Sequence, residues 1–226
     1  MKTEILMKEN SELLAEHYQK TYELTFELWR QRNQTFLTLL GVIGGATLLT
    51  FTPAQTEPLL VLWIAKALGV TEGHEIRNLG ASFPFGLLQS LLLVVVFYLM
   101  VNLYHRSLYV LRNYRYLAQL EREIRDDLGL ASDSIAFTRE GIFYWSDRAL
   151  FQSTVKWCYI ALVGCLLFAF LGGRILEDFR TRTLVLACVD LAISVATAVF
   201  FLAYARSSVL MDAARTVIPR KINTRP

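Results

Sequence analysis

The run TLVLACVDLAISVATAVFFLAYA occupies residues 183–205 and is apolar, small or hydroxylic at 22 of its 23 positions. A helix needs about 20 mainly apolar residues to cross roughly 30 Å of membrane hydrocarbon. This run reaches that length without help from its neighbours, and it therefore predicts a transmembrane helix. The single exception is Asp190, a carboxylate in a segment whose other residues suit lipid.

Three further apolar runs begin at Phe36, Phe85 and Trp157, in a chain of 226 residues that is 54% hydrophobic. The first and third are short, but flanking residues extend each of them to a membrane-crossing length. The sequence predicts an all-α membrane protein with four transmembrane helices, long cytoplasmic helical extensions and a small β-hairpin insert. The predicted spans are residues 35–52, 86–104, 156–172 and 183–205.

The distribution of Lys and Arg between the loops predicts the orientation of the chain. Four spans place both termini and the middle segment on one side, which carries 18 Lys and Arg against five on the other. Both termini are therefore expected in the cytoplasm, with the bacterial inner (plasma) membrane as the expected location. The first 34 residues contain no apolar core with a cleavage site, so the first span is expected to act as its own insertion signal.

The cytoplasmic segments are predicted to be mainly helical. Residues 1–34 form an amphipathic pattern, with Asn10 or Ser11 as the cap, and continue into the first span without Gly or Pro. The second span is expected to continue into 105–155 and to end at Gly129 in the left-handed conformation. Later in that segment, the run SIAFTREGIFYW predicts a hairpin with Gly141 in its turn. The fourth helix is expected to pass a few turns beyond its span into the basic tail, residues 206–226.

The outer segments are predicted to be shorter. In residues 53–85 we expect an interfacial helix over 58–69, or alternatively a re-entrant one, with Pro58 in its first turn and irregular chain after it. Residues 173–182 are predicted to form an outer hairpin. Residues that suit the lipid headgroup zone, by amphipathic rings or long cationic chains, are Trp63, Lys66, Lys156 and Trp157.

Asp190 is the residue least suited to its surroundings, because an acid at the centre of a span costs about 2.5–3.5 kcal/mol on insertion scales. It could line a water-filled path and select cations, be a protonated structural acid, or pair with an outer arginine such as Arg180 or Arg182. The candidate polar residues within the spans are Asp190, Gln89, Thr47 and Asn102. On the first span, Gly41 and Gly45 form a small-xxx-small pair that favours close helix packing in a bundle or between subunits.

The cytoplasmic part of the second helix is the candidate partner-binding surface. It combines an apolar stripe with arginines along one helix, and the residues in question are Leu117, Leu120, Ile124, Arg115 and Arg122. The stripe could pack within one chain or between chains. The arginines could be a solvated face, or a docking face for an acidic partner or an anionic nucleotide. A net charge of +3 is too small to suggest nucleic acid as a partner.

No motif for a nucleophile, a phosphate-binding loop or a zinc protease is present. Cys158, Cys165 and Cys188 all fall within predicted spans, where cysteine behaves as a small hydrophobe. The histidines and cysteines do not form a recognisable zinc pattern. We therefore expect no catalytic residues, no metal and no cofactor.

Three functions fit this layout. The first is a homo-oligomeric channel or pore-forming effector gated through its cytoplasmic helices. The second is a non-conducting anchor that recruits a cytoplasmic protein, and the third is a small dimeric transporter. In size and layout the chain resembles the small multi-span membrane effectors and partner subunits of prokaryotic conflict systems, which implies a role in antiviral defence and assigns no residue roles.

Overall fold

The computed structural model describes residues 2–70, 72–131, 150–181 and 184–213. These residues form helices joined by short turns and contain no strand. The predicted hairpin around Gly141 lies outside the described residues. The helices are α1 (Lys2–Phe51), α2 (Pro53–Ala67), α3 (Gly73–Ser82), α4 (Phe85–Asp127), α5 (Leu150–Thr181) and α6 (Leu184–Ala213).

Four of these helices, α1, α4, α5 and α6, are long and apolar enough to cross a membrane. Their apolar stretches coincide with the four runs read from the sequence, and this part of the predicted fold class is confirmed. All four extend beyond the hydrocarbon length, since a span needs only about 20 residues. Helix α6 passes beyond residue 205 as expected and is described as far as Ala213.

Helix α1 is continuous from Lys2 to Phe51, as the lack of Gly and Pro between residues 11 and 34 predicted. The predicted cap at Asn10 or Ser11 is wrong, because the helix begins before either residue. Helix α4 ends as predicted, with Gly129 at φ +58°. Leu130 N–H donates to the carbonyl of Arg125 at 3.1 Å, which closes the helix with a Schellman motif.

The segment between the first two apolar stretches, which was predicted to be outer, contains two helices where the sequence predicted one. Helix α2 begins at Pro53, so Pro58 lies inside the helix and not in its first turn. Gly69, at φ +76°, closes α2 with a second Schellman motif. The stretch predicted to be irregular contains α3, which packs on α2 where Val61 lies 3.6 Å from the Cβ position of Gly80.

Helix α5 does not stop at Gly172 and Gly173, where the sequence predicted a hairpin over 173–182. It continues to Thr181. Gly173 is needed here for a close approach and not for a turn, because a Cβ at this position would lie 2.8 Å from Thr50 Cγ2 of α1. This extension keeps residues 174 and 178 on the same buried helix face as Phe170.

The helices divide into two compact units. The first comprises Met1–Gln34, Leu103–Trp157 and Ala203–Pro226, and the second comprises Thr35–Asn102 and Cys158–Leu202. The second unit contains most of each apolar stretch. Its fully buried apolar residues on α1, α4 and α5 include Leu39, Ile43, Leu93, Val96, Leu167 and Phe170.

The first unit has its own core, built on the predicted apolar stripe of α4. Leu117, Leu120 and Ile124 are 0%, 3% and 1% exposed. Buried beside them, Glu121 accepts a hydrogen bond from Tyr18 of α1 at 2.9 Å. Arg32 of α1 donates to Ser107 of α4 at 3.2 Å. The stripe therefore packs within one chain, which answers a question that the sequence left open.

Candidate functional site: a buried arginine with two aspartates

Three helices of the second unit bring polar side chains together through their buried faces. On α5 the buried positions recur every three or four residues, and this spacing places Arg174 and Asp178 one turn apart on the inner face. On α6 the same spacing begins with Asp190 and continues through Ser194. Helix α4 contributes Gln89 and Ser90 from its first two turns.

Arg174 lies at the centre of this cluster, with a side chain that is 0% exposed. Its Nη1 donates to Gln89 Oε1 at 2.7 Å, and its Nη2 donates to Ser90 Oγ at 2.9 Å. The same Nη2 lies 2.8 Å from Asp190 Oδ2 and 2.9 Å from Asp178 Oδ1. A weaker contact of 3.4 Å reaches the backbone carbonyl of Gly86. The guanidinium thus connects α4, α5 and α6.

Asp190 is held from two sides. Ser90 Oγ donates to Asp190 Oδ2 at 2.8 Å, and Arg174 donates to the same oxygen. Asp178 also lies close enough to Asp190 for their carboxyl groups to interact. Of the three interpretations of Asp190, pairing with an arginine describes the observed contacts. The arginine is Arg174, and not Arg180 or Arg182, whose side chains lie outside the described part of the chain.

The pair lies at matching positions along two neighbouring helices. Arg174 is five residues from the C-terminal end of the apolar stretch Thr154–Phe179, and Asp190 is five residues from the start of Val185–Ser208. At 1.5 Å per residue, each is about 8 Å inside its stretch. The arginine and the aspartate therefore meet at the same depth, where each offsets the cost of burying the other.

Of the four polar span residues predicted from the sequence, the structure brings Gln89 and Asp190 into one cluster. Thr47 and Asn102 lie outside it. Thr47 Oγ donates to the carbonyl of Ile43 at 2.7 Å, and Asn102 Nδ2 donates to that of Tyr98 at 3.0 Å. Both therefore bond to their own helix, which is a common way to satisfy a polar group in a span. Their assignment to a pore stays a prediction.

Sequence reasoning missed Arg174 as a site residue, because it assigned this arginine to an outer hairpin. Two signals pointed to it. Asp178 follows Arg174 by one helical turn, the spacing of an intrahelical ion pair. Arg174 and Asp190 also stand at equal distances from residue 182, so a turn there would place them opposite each other on antiparallel helices.

The part of α4 that was predicted to be cytoplasmic shows different exposure for the two parts of the predicted partner-binding set. The apolar residues Leu117, Leu120 and Ile124 are buried within the chain, and their assignment to partner binding stays a prediction. Arg112, Arg115 and Arg122 are exposed, and so are Tyr109 and Tyr116 on the same helix. Arg106 is half-buried and donates to Gln31 of α1 at 3.3 Å.

The four residues predicted at membrane boundaries differ in their surroundings. Trp63 and Lys66 are exposed on α2, and Trp63 is 72% exposed. Trp157 is half-exposed on α5. Lys156 is half-buried and donates to the backbone carbonyl of Ser208 on α6, so it joins two helices of the first unit in addition to lying near a span end.

A group with possible metal ligands occurs at the start of α3. Ligand atoms of Glu72, His74 and Glu75 all lie within 4.8 Å of one another, a juxtaposition that the sequence reasoning did not anticipate. All three side chains are exposed, and His74 Nδ1 is 3.2 Å from Glu72 Oε2. Exposed groups of this kind are common without an ion, and the expected absence of a metal stays a prediction.

Comparison with known protein families, characterised proteins and solved structures finds no match for the chain.

Proposed function

We propose that this protein is a non-conducting membrane anchor whose cytoplasmic helices bind an acidic segment of a protein partner. The observation that carries the proposal is a difference along α4 between polar side chains that have partners and arginines that are exposed. Its polar residues near the outer end are engaged with Arg174, whereas its cytoplasmic arginines are exposed. An Asp190 that is buried and bonded to Arg174 and Ser90 is poorly placed to select ions in a water-filled path.

The proposed docking surface is the exposed face of α4 that carries Arg112, Arg115 and Arg122, hereafter the arginine face. No ion pair or hydrogen bond connects these three side chains to other described residues, so their donors are available. Arginine suits this role because its planar fork can bind a carboxylate with two hydrogen bonds. The nearby exposed tyrosines, Tyr109 and Tyr116, add the aromatic area that is enriched at protein interfaces.

The length of the arginine face favours a protein partner over lipid headgroups. Arg112 and Arg122 are ten residues apart on one helix, a distance of about 15 Å along its axis. Measured from Tyr104, where the predicted span ends, Arg122 lies about 27 Å further along α4. The headgroup zone is much thinner than this, because hydrocarbon and headgroups together measure about 40–45 Å for both leaflets.

We place the protein in the bacterial inner membrane with both termini in the cytoplasm, on the excess of Lys and Arg on that side. The burial of Arg174 supports this assignment, because it removes one of five cations from the outer loops. The partner would be a soluble protein of the same cell, such as another member of a defence complex.

The proposal can be tested with the full chain in nanodiscs of zwitterionic lipid and a fluorescent polyglutamate peptide as the acidic probe. We expect the double variant Arg115→Glu/Arg122→Glu to bind the peptide at least tenfold more weakly. Exposed pairs contribute about 0.2–1 kcal/mol each, and charge reversal adds repulsion. The matched control is Lys66→Glu/Arg77→Glu, which changes the charge equally on α2 and α3. Equal loss of binding in both variants would contradict the proposal.

A homo-oligomeric channel is the second candidate, and the packing of α1 favours it. Nothing in the described chain lies within 4 Å of the Cβ positions of Gly41 and Gly45, so this close-packing face is unfilled within one chain. Vesicles containing the purified protein should leak no faster than empty vesicles if the anchor proposal holds. An ion leak from an oligomer, changed by Asp190→Asn at unchanged assembly, would favour the channel and overturn the anchor.

A further inference from the structure

A cavity of about 340 Å³ lies between α2 and α3. This volume falls within the range of about 300–1,000 Å³ that is usual for small-ligand sites. Its lining residues recur every three or four positions along each helix, so one face of α2 and one face of α3 form its walls. Apart from two charged residues, the lining is apolar and includes Val61, Ile76 and Phe85.

The two charged residues of the cavity have opposite signs and come from different helices. Glu57 on α2 is half-buried, and Arg77 on α3 is exposed. Within the described part of the chain, neither side chain forms an ion pair or a hydrogen bond with the other or with a third residue. An acid and a base that line one cavity without pairing can bind the two opposite charges of a single zwitterionic ligand.

A backbone carbonyl provides a second acceptor near Glu57. Pro58 has no N–H, so it cannot donate the helical hydrogen bond that the carbonyl of Ala54 would otherwise accept. Ala54 also lines the cavity. A primary ammonium has three N–H donors and can use two acceptors on one wall, whereas a quaternary ammonium has no N–H to donate.

The cavity lies at the ends of two apolar stretches. Ala54 follows Phe51, the last residue of the first stretch, by three residues, and Phe85 is the first residue of the second. Helix α2 also exposes Leu59 and Trp63, which are 66% and 72% exposed. Exposed apolar and aromatic side chains at this level suit the boundary between lipid headgroups and acyl chains. A membrane lipid is therefore better placed than a solute to enter the cavity.

We propose that the cavity binds the headgroup of an ethanolamine phospholipid. Arg77 binds the phosphate, because a guanidinium can donate two parallel hydrogen bonds to phosphate oxygens. The carboxylate of Glu57 and the carbonyl of Ala54 accept hydrogen bonds from the ammonium. This lipid site rests on the membrane location proposed above, but it does not depend on the partner of the arginine face.

Native mass spectrometry of the purified full chain in detergent micelles tests the lipid site. The probes are ethanolamine, choline and glycerol phospholipids with identical acyl chains, each titrated separately. We expect the ethanolamine lipid to bind about two- to fivefold more tightly than the other two, the range that one exposed charge pair supplies. Soluble glycerophosphoethanolamine should not displace the lipid, because it lacks the acyl chains.

Two variants distinguish the two proposed contacts. Glu57→Gln should lower the affinity for the ethanolamine lipid to that for the choline lipid, because it removes the charge that attracts the ammonium. Arg77→Gln should weaken the binding of all three lipids by about two- to fivefold, since each contains a phosphate. The matched controls are Glu75→Gln and Lys66→Gln, which remove the same charges from α3 and α2 outside the cavity lining. Both controls should retain the preference for the ethanolamine lipid.

Equal affinity of the unaltered protein for the three lipids would overturn the proposal, and this measurement requires no variant to fold. A preference that survives Glu57→Gln would overturn it as well. Displacement of the lipid by soluble glycerophosphoethanolamine would overturn the assignment to a lipid, because it would show that the cavity takes a solute. A retained lipid preference without peptide binding at the arginine face would support this site and contradict only the partner proposed above.

Discussion

Replacement of Arg174 by glutamine removes the cation from the cluster while keeping a polar side chain on α5. Two buried carboxylates are then left without their common partner, and Gln89 and Ser90 are left without the donor that reaches them from α5. We expect a protein that still inserts its apolar helices but is less stable in the second unit.

The size of the effect follows from the hydrogen bonds and the ion pair that the substitution removes. Three hydrogen bonds of 2.7–2.9 Å join Arg174 to other helices, and hydrogen bonds in membrane proteins average about 0.6 kcal/mol each, which gives about 2 kcal/mol. Breaking a buried ion pair by removing one partner costs about 3–5 kcal/mol. Protonation of the stranded acids limits the upper value, and the expected destabilisation is therefore about 2–5 kcal/mol.

The assay is reversible unfolding in mixed micelles, driven by a denaturing detergent and followed by circular dichroism. Arg77→Gln is the control, because Arg77 is an exposed arginine in the same unit. A double-mutant cycle with Arg174→Gln, Asp190→Asn and the double variant measures the interaction free energy between Arg174 and Asp190. We expect a value of about 1–3 kcal/mol. Additive effects within about 0.5 kcal/mol, or an Arg174 variant as stable as the Arg77 control, would refute the reasoning.

Two further predictions concern packing and the first unit. Gly173→Ala should destabilise the protein by about 1–3 kcal/mol in the same assay, because the added Cβ would lie 2.8 Å from Thr50 Cγ2. Tyr18→Phe should lower the free energy of unfolding by about 1.5–3 kcal/mol, since it removes a hydrogen bond to the buried Glu121 carboxylate.

Each of these changes has a matched control. Gly172→Ala adds the same methyl group one residue earlier, where nothing lies within 4 Å, and it should be neutral or stabilising. If both alanine variants behave alike, the close approach of α5 to α1 is wrong. Tyr98→Phe removes a hydroxyl from an exposed tyrosine and should change stability by less than about 0.5 kcal/mol. A Tyr18 effect of the same size would count against the Glu121 contact.

The spans were predictable because the membrane imposes a length and an apolar composition that a single sequence reveals. The end of α4 was predictable as well, since Gly129 follows a long helical pattern and can adopt positive φ. Helix α3 was missed because its segment is only ten residues long, contains Gly73 and Gly80 and is followed by Pro84, which are features typical of loops.

The candidate site was harder to predict because each of its polar residues is favourable inside the protein only when it contacts a partner that is distant in the sequence. Hydropathy treats Arg174 as a reason to end a span, although the cost of burying it is offset by Asp190 sixteen residues later. The glycines at 172 and 173 strengthened the wrong interpretation, because glycine pairs are typical of turns. Asp190 stood out from the sequence alone, yet its partner became clear only from the placement of α5 beside α6.

The ion pair between α5 and α6 also bears on how the chain is made. During synthesis, α5 leaves the ribosome before α6. At that stage Arg174 lies about 8 Å inside the apolar stretch of α5, and its ion-pair partner Asp190 has not yet emerged. Such a helix partitions into lipid poorly, and it would wait at the translocon until its neighbour emerges. The last two helices should therefore insert into the bilayer together. Chains truncated between α5 and α6 should insert poorly and be degraded by membrane proteases.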